Sequence, residues 1–341
     1  MSVLYRICSH MRKIFVTTVV TALCTGFFLV FLEMGALVYL YGWNILLPHN
    51  YRSIPYFGHP KVLVPSSVGL SHELATNADI FYKKALIHTT PDGLRDHLYT
   101  KKKPPQTIRI AVLGDSYVMP EGVSIEKAFH SIMEEEWNNQ TAKNIRYEFI
   151  NFGVSGYNLW DYPIVLREKV LQYHPDVIIQ CITRNDHQRP GDARGVKSSA
   201  KWFGVFAFMR LFYPLHISPQ QIDAWTVKDF GSPYHTVGPV TPEENDEIIK
   251  SSTEMVNIAR AQKISIIFAM IDYVPLDRHW IDLWEKMAKE RGAGFVDLSK
   301  GFANKDVRPF RIYRADNHPN AKAHRIFADT LTTYMRSITM P

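Results

Sequence analysis

From Thr107 onward the chain alternates between two hydrophobic patterns. Short runs that are apolar at nearly every position fall at 108–113, 147–152, 177–182, 264–271 and 294–298. Between them apolar residues recur at helical spacing. Phe129, Ile132, Met133 and Trp137 mark one such stretch within 126–137, and Leu159, Ile164, Val165, Val170 and Leu171 a second within 158–173. Further stretches cover 242–262, 277–291 and 320–335. Strands that alternate with helices predict a parallel sheet. Strands that are apolar on both faces predict that helices cover both sides of it. The expected fold is therefore α/β, with three layers in the order helix, sheet, helix.

A different pattern opens the chain. Ile14 to Leu32 carry no formal charge over 19 residues. As a helix this run spans roughly 28 Å, about one bilayer core. Glu33 interrupts it, and apolar residues resume to Trp43. Arg6, Arg12 and Lys13 precede it, which places the N-terminus on the cytoplasmic side and the remainder across the membrane. The expected organisation is a cytoplasmic N-terminus over 1–13 and a single-pass anchor over 14–43. The main domain then lies outside the cytoplasmic membrane, in the periplasm if the cell is Gram-negative. A cleaved signal peptide is the competing reading, but its apolar core is normally shorter and ends in small residues.

Two segments lack clean periodicity. Residues 44–106 are rich in Pro, His and Tyr, with a turn signal at Pro91-Asp92-Gly93. They are expected to form an irregular extension that packs on a main domain covering 107–341. The stretch 187–240 is too long for an ordinary connection and holds a strongly apolar run at 201–213. It reads as an insertion: a packed helix, a lid over the site, or a helix lying on the membrane surface.

Composition narrows the function classes. Of 341 residues 46% are hydrophobic and 21% charged, so the chain is globular. The net charge of +6 is mild, and Lys101-Lys102-Lys103, followed by two prolines, reads as a solvated linker. No pattern for nucleic-acid binding is present. Cys181 is the one cysteine beyond the N-terminal segment, so the main domain folds without an internal disulfide. The chain has no Gly-x-Ser-x-Gly elbow, no phosphate-binding Gly-x-x-x-x-Gly-Lys loop and no His-Glu-x-x-His. No cofactor and no metal are expected.

Candidate chemistry sits where the apolar runs end. Gly114-Asp115-Ser116 follows the first run, Gly153-Val154-Ser155-Gly156 the second, and Asn185-Asp186 the third. Asp316-Asn317-His318-Pro319-Asn320 precedes the last helix. In a parallel sheet these positions share one edge, where ligands bind. Ester chemistry needs a nucleophile, a base and donors for an oxyanion. Each element alone has a plain structural reading, as a turn or a helix cap. Together, in this order, they favour catalysis.

Serine, glycine, asparagine and histidine in this order resemble the four blocks of the SGNH, or GDSL-type, hydrolases over about 107–335. The upstream Asp92-Gly93-Leu94-Arg95-Asp96 and the later Glu121-Gly122-Val123 also resemble a membrane-anchored bacterial branch that acts on cell-surface glycans. The resemblance implies a flavodoxin-like sheet and no cofactor. It implies Ser116 as nucleophile and His318 as base, with the Ser116 and Gly156 N–H groups and the Asn185 side chain as oxyanion hole. Many members place an aspartate three residues before the histidine. Here that position is Ala315, and Asp316, two before, is the candidate for orienting His318. The expected function is an esterase or O-acyltransferase that handles a small acyl group, such as acetyl, on a carbohydrate. Its expected partners are an acyl ester or carbohydrate substrate, the membrane, and polysaccharide-assembly proteins. Two rivals remain open: a catalytically silent glycan-binding or assembly module, and a lipase-like enzyme at the bilayer.

Overall fold

The computed structural model describes residues 2–41, 43–47, 62–82, 84–140, 144–184, 186, 241–274, 276, 278–313 and 316–338. The predicted insertion at 187–240 therefore lies outside the described residues, as does Asn185.

Five strands form one parallel sheet: β5 (Thr107–Leu113), β6 (Arg146–Asn151), β7 (Val177–Ile182), β8 (Ser265–Met270) and β9 (Gly294–Asp297). Their order is β6-β5-β7-β8-β9. The order reverses direction at β5, so the gap beyond the carboxyl ends of β5 and β7 is the switch point where such sheets bind ligands. Alternate residues of β5 feed opposite layers. Ile110 and Val112 join a core under α2 (Phe129–Gln140) and α6 (Ala321–Ser337), with Phe129, Met133, Phe327 and Leu331. Ala111 and Leu113 join the other core, under α4 (Pro242–Ala261) and α5 (Arg278–Glu290), with Met255 and Trp284. A helical stretch over 162–173, α3, packs on that second face through Tyr162, Val165 and Val170. Three layers follow directly from strands that are apolar on both sides.

Helix starts are chemically marked. Thr241 caps α4 with a reciprocal Thr241–Glu244 box, and Pro242 occupies the first turn, where its missing N–H costs nothing. The side chain of Asn320 accepts from the Lys322 and Ala323 N–H groups and caps α6.

The N-terminal helix α1 runs unbroken over Ser2–Tyr41 and includes most of the expected anchor. Nothing in Ser2 to Lys13 breaks a helix, since neither Pro nor Gly occurs there. Its span Ile7–Tyr39 is long and apolar enough to cross a membrane, by length and composition. The extension is less irregular than its composition suggests. Two antiparallel pairs form, β1 (Leu63–Val64) with β2 (Glu73–Leu74), and β3 (Asp79–Tyr82) with β4 (Ala85–His88). Leu70, Leu74, Ile87 and Leu94 are buried in the same core as α3 and α4. A further antiparallel ribbon, β10 (Arg311–Tyr313) with β11 (Asp316–Pro319), lies outside the main sheet.

Candidate active site

Ser116 follows β5 by three residues and lies in a tight turn. The Asp115 side chain accepts from the Tyr117 N–H at 2.9 Å, and the Asp115 carbonyl from the Met119 N–H at 2.9 Å. Gly114 permits this turn. A Cβ there would sit 2.3 Å from Val118 Cγ2, so a side chain would force Val118, in the same turn, to move. The residues after Ser116 stay in turns before the helix predicted from 126. Turns run to Val123, and α2 begins only at Phe129. Pro120 and Gly122, with φ of +72° at the glycine, disfavour a helix there. Ser116 therefore lies in a turn and not at a helix N-terminus.

His318 reaches this point from β11. Its Nε2 lies 2.9 Å from Ser116 Oγ. The ribbon that carries it is pinned from two sides. Tyr273, just past β8, donates to the Asn317 carbonyl at 2.8 Å, and Asn320 Nδ2 donates to the Pro309 and Arg311 carbonyls. The Tyr117 ring meets the His318 ring edge-on at 5.9 Å. Ser116 is 9% exposed and the His318 side chain 26%, so the pair is sheltered yet reachable.

Gly156 lies in the loop after β6 with φ of +85°, a backbone that disfavours any other residue. Among the described residues, the backbone N–H groups of Ser116 and Gly156 donate to no protein acceptor. Unpaired N–H groups at a sheltered site are the raw material of an anion pocket. Asn185 lies outside the described residues, and so does the Asp316 side chain, although the Asp316 backbone belongs to β11.

Sequence reasoning assigned no individual role to three residues here. Glu121 Oε2 lies 3.5 Å from His318 Nε2, on the nitrogen that faces the serine, and Glu121 is 5% exposed. Arg95 is buried, and it donates to the Met119, Pro120 and Val123 carbonyls. It thereby clamps the loop that carries Ser116 and Glu121, which explains the Asp92–Asp96 motif in physical terms. His72 packs on Gly156, with its Cε1 3.3 Å from where a Cβ would stand. His324, by contrast, is a core residue. It stacks on Phe129, and burial pushes its pKa down to about 3.

Beneath the serine lies a buried carboxylate pair. Thr183 Oγ1 is 2.9 Å from Asp115 Oδ2 and 2.8 Å from Asp186 Oδ1. One hydroxyl proton cannot serve both oxygens, so a proton on one carboxyl group completes the chain. Tyr162 donates to Asp186 at 2.9 Å. Burial raises Asp186 well above the usual carboxylate range, assisted by the Asp115 charge, and burial raises Asp115 to about 6. A raised carboxyl pKa means that the folded chain holds a proton which the unfolded chain releases. Its stabilisation is complete below about 3.8 and is lost as pH rises through about 6. Asp115→Asn reproduces the hydrogen bonds of the neutral acid. Urea denaturation at pH 4 to 7 is expected to show wild type losing on the order of 2–3 kcal/mol relative to Asp115→Asn across that range. An unchanged difference between the two proteins would place the proton elsewhere.

Residues 112–326 match the sequence profile described as the GDSL-like lipase/acylhydrolase family. No curated protein sequence matches the chain. Solved structures with a similar chain path include an α/β hydrolase enzyme from the metagenome of Lake Arreo, Spain. It is 17% identical, with 68% of this chain and 96% of that chain covered and a TM-score of 0.43. A two-domain esterase active on acetylated mannans is 13% identical over 69% of this chain and 51% of its own, with a TM-score of 0.45. A catalytic mutant of an acetylxylan esterase from Geobacillus stearothermophilus is 15% identical over 68% and 95%, with a TM-score of 0.44.

Proposed function

The chain belongs to the GDSL-like lipase/acylhydrolase family and is a serine hydrolase of ester bonds, and on that premise we propose that Ser116 and His318 are its nucleophile and base. The observation that carries this reading is the 2.9 Å approach of His318 Nε2 to Ser116 Oγ at the sheet's switch point. As Ser116 Oγ attacks the ester carbonyl carbon, His318 Nε2 takes the hydroxyl proton. The carbonyl oxygen becomes an oxyanion, held by the Ser116 and Gly156 N–H groups and the Asn185 side-chain amide. Collapse breaks the bond to the alcohol oxygen, and His318 returns its proton to that leaving group. The acyl group now sits on Ser116. A water or a sugar hydroxyl then attacks, His318 takes its proton, and the second collapse breaks the bond from the acyl carbon to Ser116 Oγ as His318 returns the proton to that oxygen.

Asp316 is the residue proposed to orient His318. The two are separated by one residue in β11. Glu121 supplies a negative charge beside the imidazolium that forms in both steps.

The helix α1 is proposed as a retained membrane anchor that holds the enzyme outside the cytoplasmic membrane. The preferred substrate is then a small acyl ester, acetyl on a cell-surface carbohydrate. The apolar length of α1 supports this reading, as does the resemblance of Asp92–Asp96 and Glu121–Val123 to a membrane-anchored branch of the family. A series of aryl esters from acetate to octanoate, assayed with the full chain in detergent, tests it. The expected result is kcat/KM highest for acetate and lower by at least about tenfold for octanoate, the scale that a few misfitting methylenes produce. The reverse order identifies a lipase-like enzyme. Turnover of none of them, with no labelling by a serine-reactive fluorophosphonate, identifies a silent binding module.

A further inference from the structure

The extension before the main domain places a histidine against the proposed oxyanion hole. His72 Nε2 lies 2.6 Å from the Ser155 carbonyl oxygen. A carbonyl oxygen can only accept, so Nε2 carries the proton and donates it. That carbonyl belongs to the same peptide unit as the Gly156 N–H. In a trans peptide the C=O and the N–H lie in one plane and point in opposite directions. A bond that anchors the oxygen therefore fixes the direction of the N–H. It also polarises the amide, which strengthens the N–H as a donor.

The anchor itself is rigidly held. Ser71 Oγ lies 3.0 Å from His72 Nδ1 and 3.1 Å from Asp161 Oδ2, and its one proton serves one of these acceptors at a time. The Ser71 N–H donates to Asp161 Oδ1 at 2.8 Å. Asp161 is buried at the start of α3. Tyr157, the residue after Gly156, donates its hydroxyl to the His72 carbonyl at 3.0 Å, and its ring packs against the imidazole at 5.5 Å. The glycine loop thus holds His72 from one side while His72 holds the loop from the other. Gly156 needs such support. With φ of +85° and no side chain of its own, it has no packing to set the angle of its peptide plane.

We propose that His72 is a positioning residue for catalysis: it aims and polarises the Ser155–Gly156 amide that stabilises the oxyanion. The proposal rests on the reading of Gly156 as an oxyanion donor. It gives the extension a part in the chemistry, since the segment that follows the N-terminal helix then completes the active site of the sheet domain. An amide donor matters most when charge has moved onto the substrate oxygen, so its loss lowers kcat and spares ground-state binding.

The test uses the full chain in detergent and an aryl acetate. His72→Phe and His72→Met fill the space without a donor, and His72→Gln retains one. The two non-donors are expected to lower kcat by about 10- to 100-fold with KM within about twofold, less than outright removal of an oxyanion donor. His72→Gln is expected to restore kcat to within about fivefold of wild type, because its side-chain amide still donates. Circular dichroism establishes which variants fold, and the pair of non-donors of different shape guards against a misfold of one. Wild-type kcat in a folded non-donor overturns the inference. So does a loss that His72→Gln shares in full, since packing alone would then explain it. Ser116→Ala run alongside separates the two levels. If it retains turnover, the reading of the site fails. If it is inactive while His72→Phe is fully active, only the role of His72 fails.

Discussion

Ser116→Ala is expected to lower kcat by about 10⁴-fold or more while the protein stays folded. The magnitude follows from the chemistry. Without Oγ no acyl-enzyme forms, and the remaining N–H donors and binding contacts give only background rate. The structural cost is small by comparison. Ser116 is a short side chain at 9% exposure in a turn set by Asp115 and Gly114, so the change in stability is expected to stay within about 1 kcal/mol. Steady-state rates with an aryl acetate, paired with thermal denaturation, check both halves. Near-wild-type turnover in a folded variant would move the nucleophile elsewhere. Ser155, one residue before Gly156, is then the next serine to test.

His318→Ala is expected to lose as much as Ser116→Ala, and the double variant little more. Nucleophile and base act as one unit, so removing either already forfeits the acyl-enzyme route. The 2.9 Å approach makes this coupling direct. A double-mutant cycle measures it. Losses that add across the cycle would mean that the two side chains act separately, and His318 would not be the base. The same variant bears on Glu121. Its carboxylate faces His318 Nε2 at 3.5 Å, and with the ring removed it has no imidazolium to stabilise. Added imidazole is therefore expected to restore some activity to His318→Ala and none to Ser116→Ala.

The sheet was legible because its strands carry an unambiguous signal. Val177 to Ile182 is short, rich in β-branched residues and buried at every position, as a strand covered on both faces requires. Once five such runs are in order, the strand ends follow, and Ser116 and Gly156 fall at one edge without further information. The limits are equally physical. The segment between Ser116 and the helix predicted from 126 had no periodicity to read, and Pro120 and Gly122 hold it in turns. The β10–β11 ribbon was invisible, because Arg311 to Pro319 has neither alternation nor an apolar run. It is held by single contacts, from Tyr273 and from the Asn320 side chain.

Long-range polar contacts left the least trace in the sequence. Arg95 reads as a surface charge, but the fold buries it against three carbonyls of the nucleophile loop. A signal existed in Asp92–Asp96, although nothing in its spacing said which loop it would support. His72 had no signal of its own. Its position beside Gly156 depends on how the extension crosses the β6–α3 connection, 83 residues away in sequence from its partner Ser155. Thr183 likewise looks like an ordinary residue at a strand end. Only the folded chain shows that its hydroxyl lies between two buried carboxyl groups.

The claim at the centre of this account is that Ser116 carries the acyl group. Mass spectrometry tests it most directly. The full chain in detergent is mixed with an activated acetyl ester, quenched in acid within the first turnover, digested and mapped. The account predicts one acetyl group on the peptide that contains Ser116, present in His318-intact protein and absent from Ser116→Ala. Acetylation of another residue, or turnover of the ester with an unmodified Ser116 peptide at every time point, would contradict it.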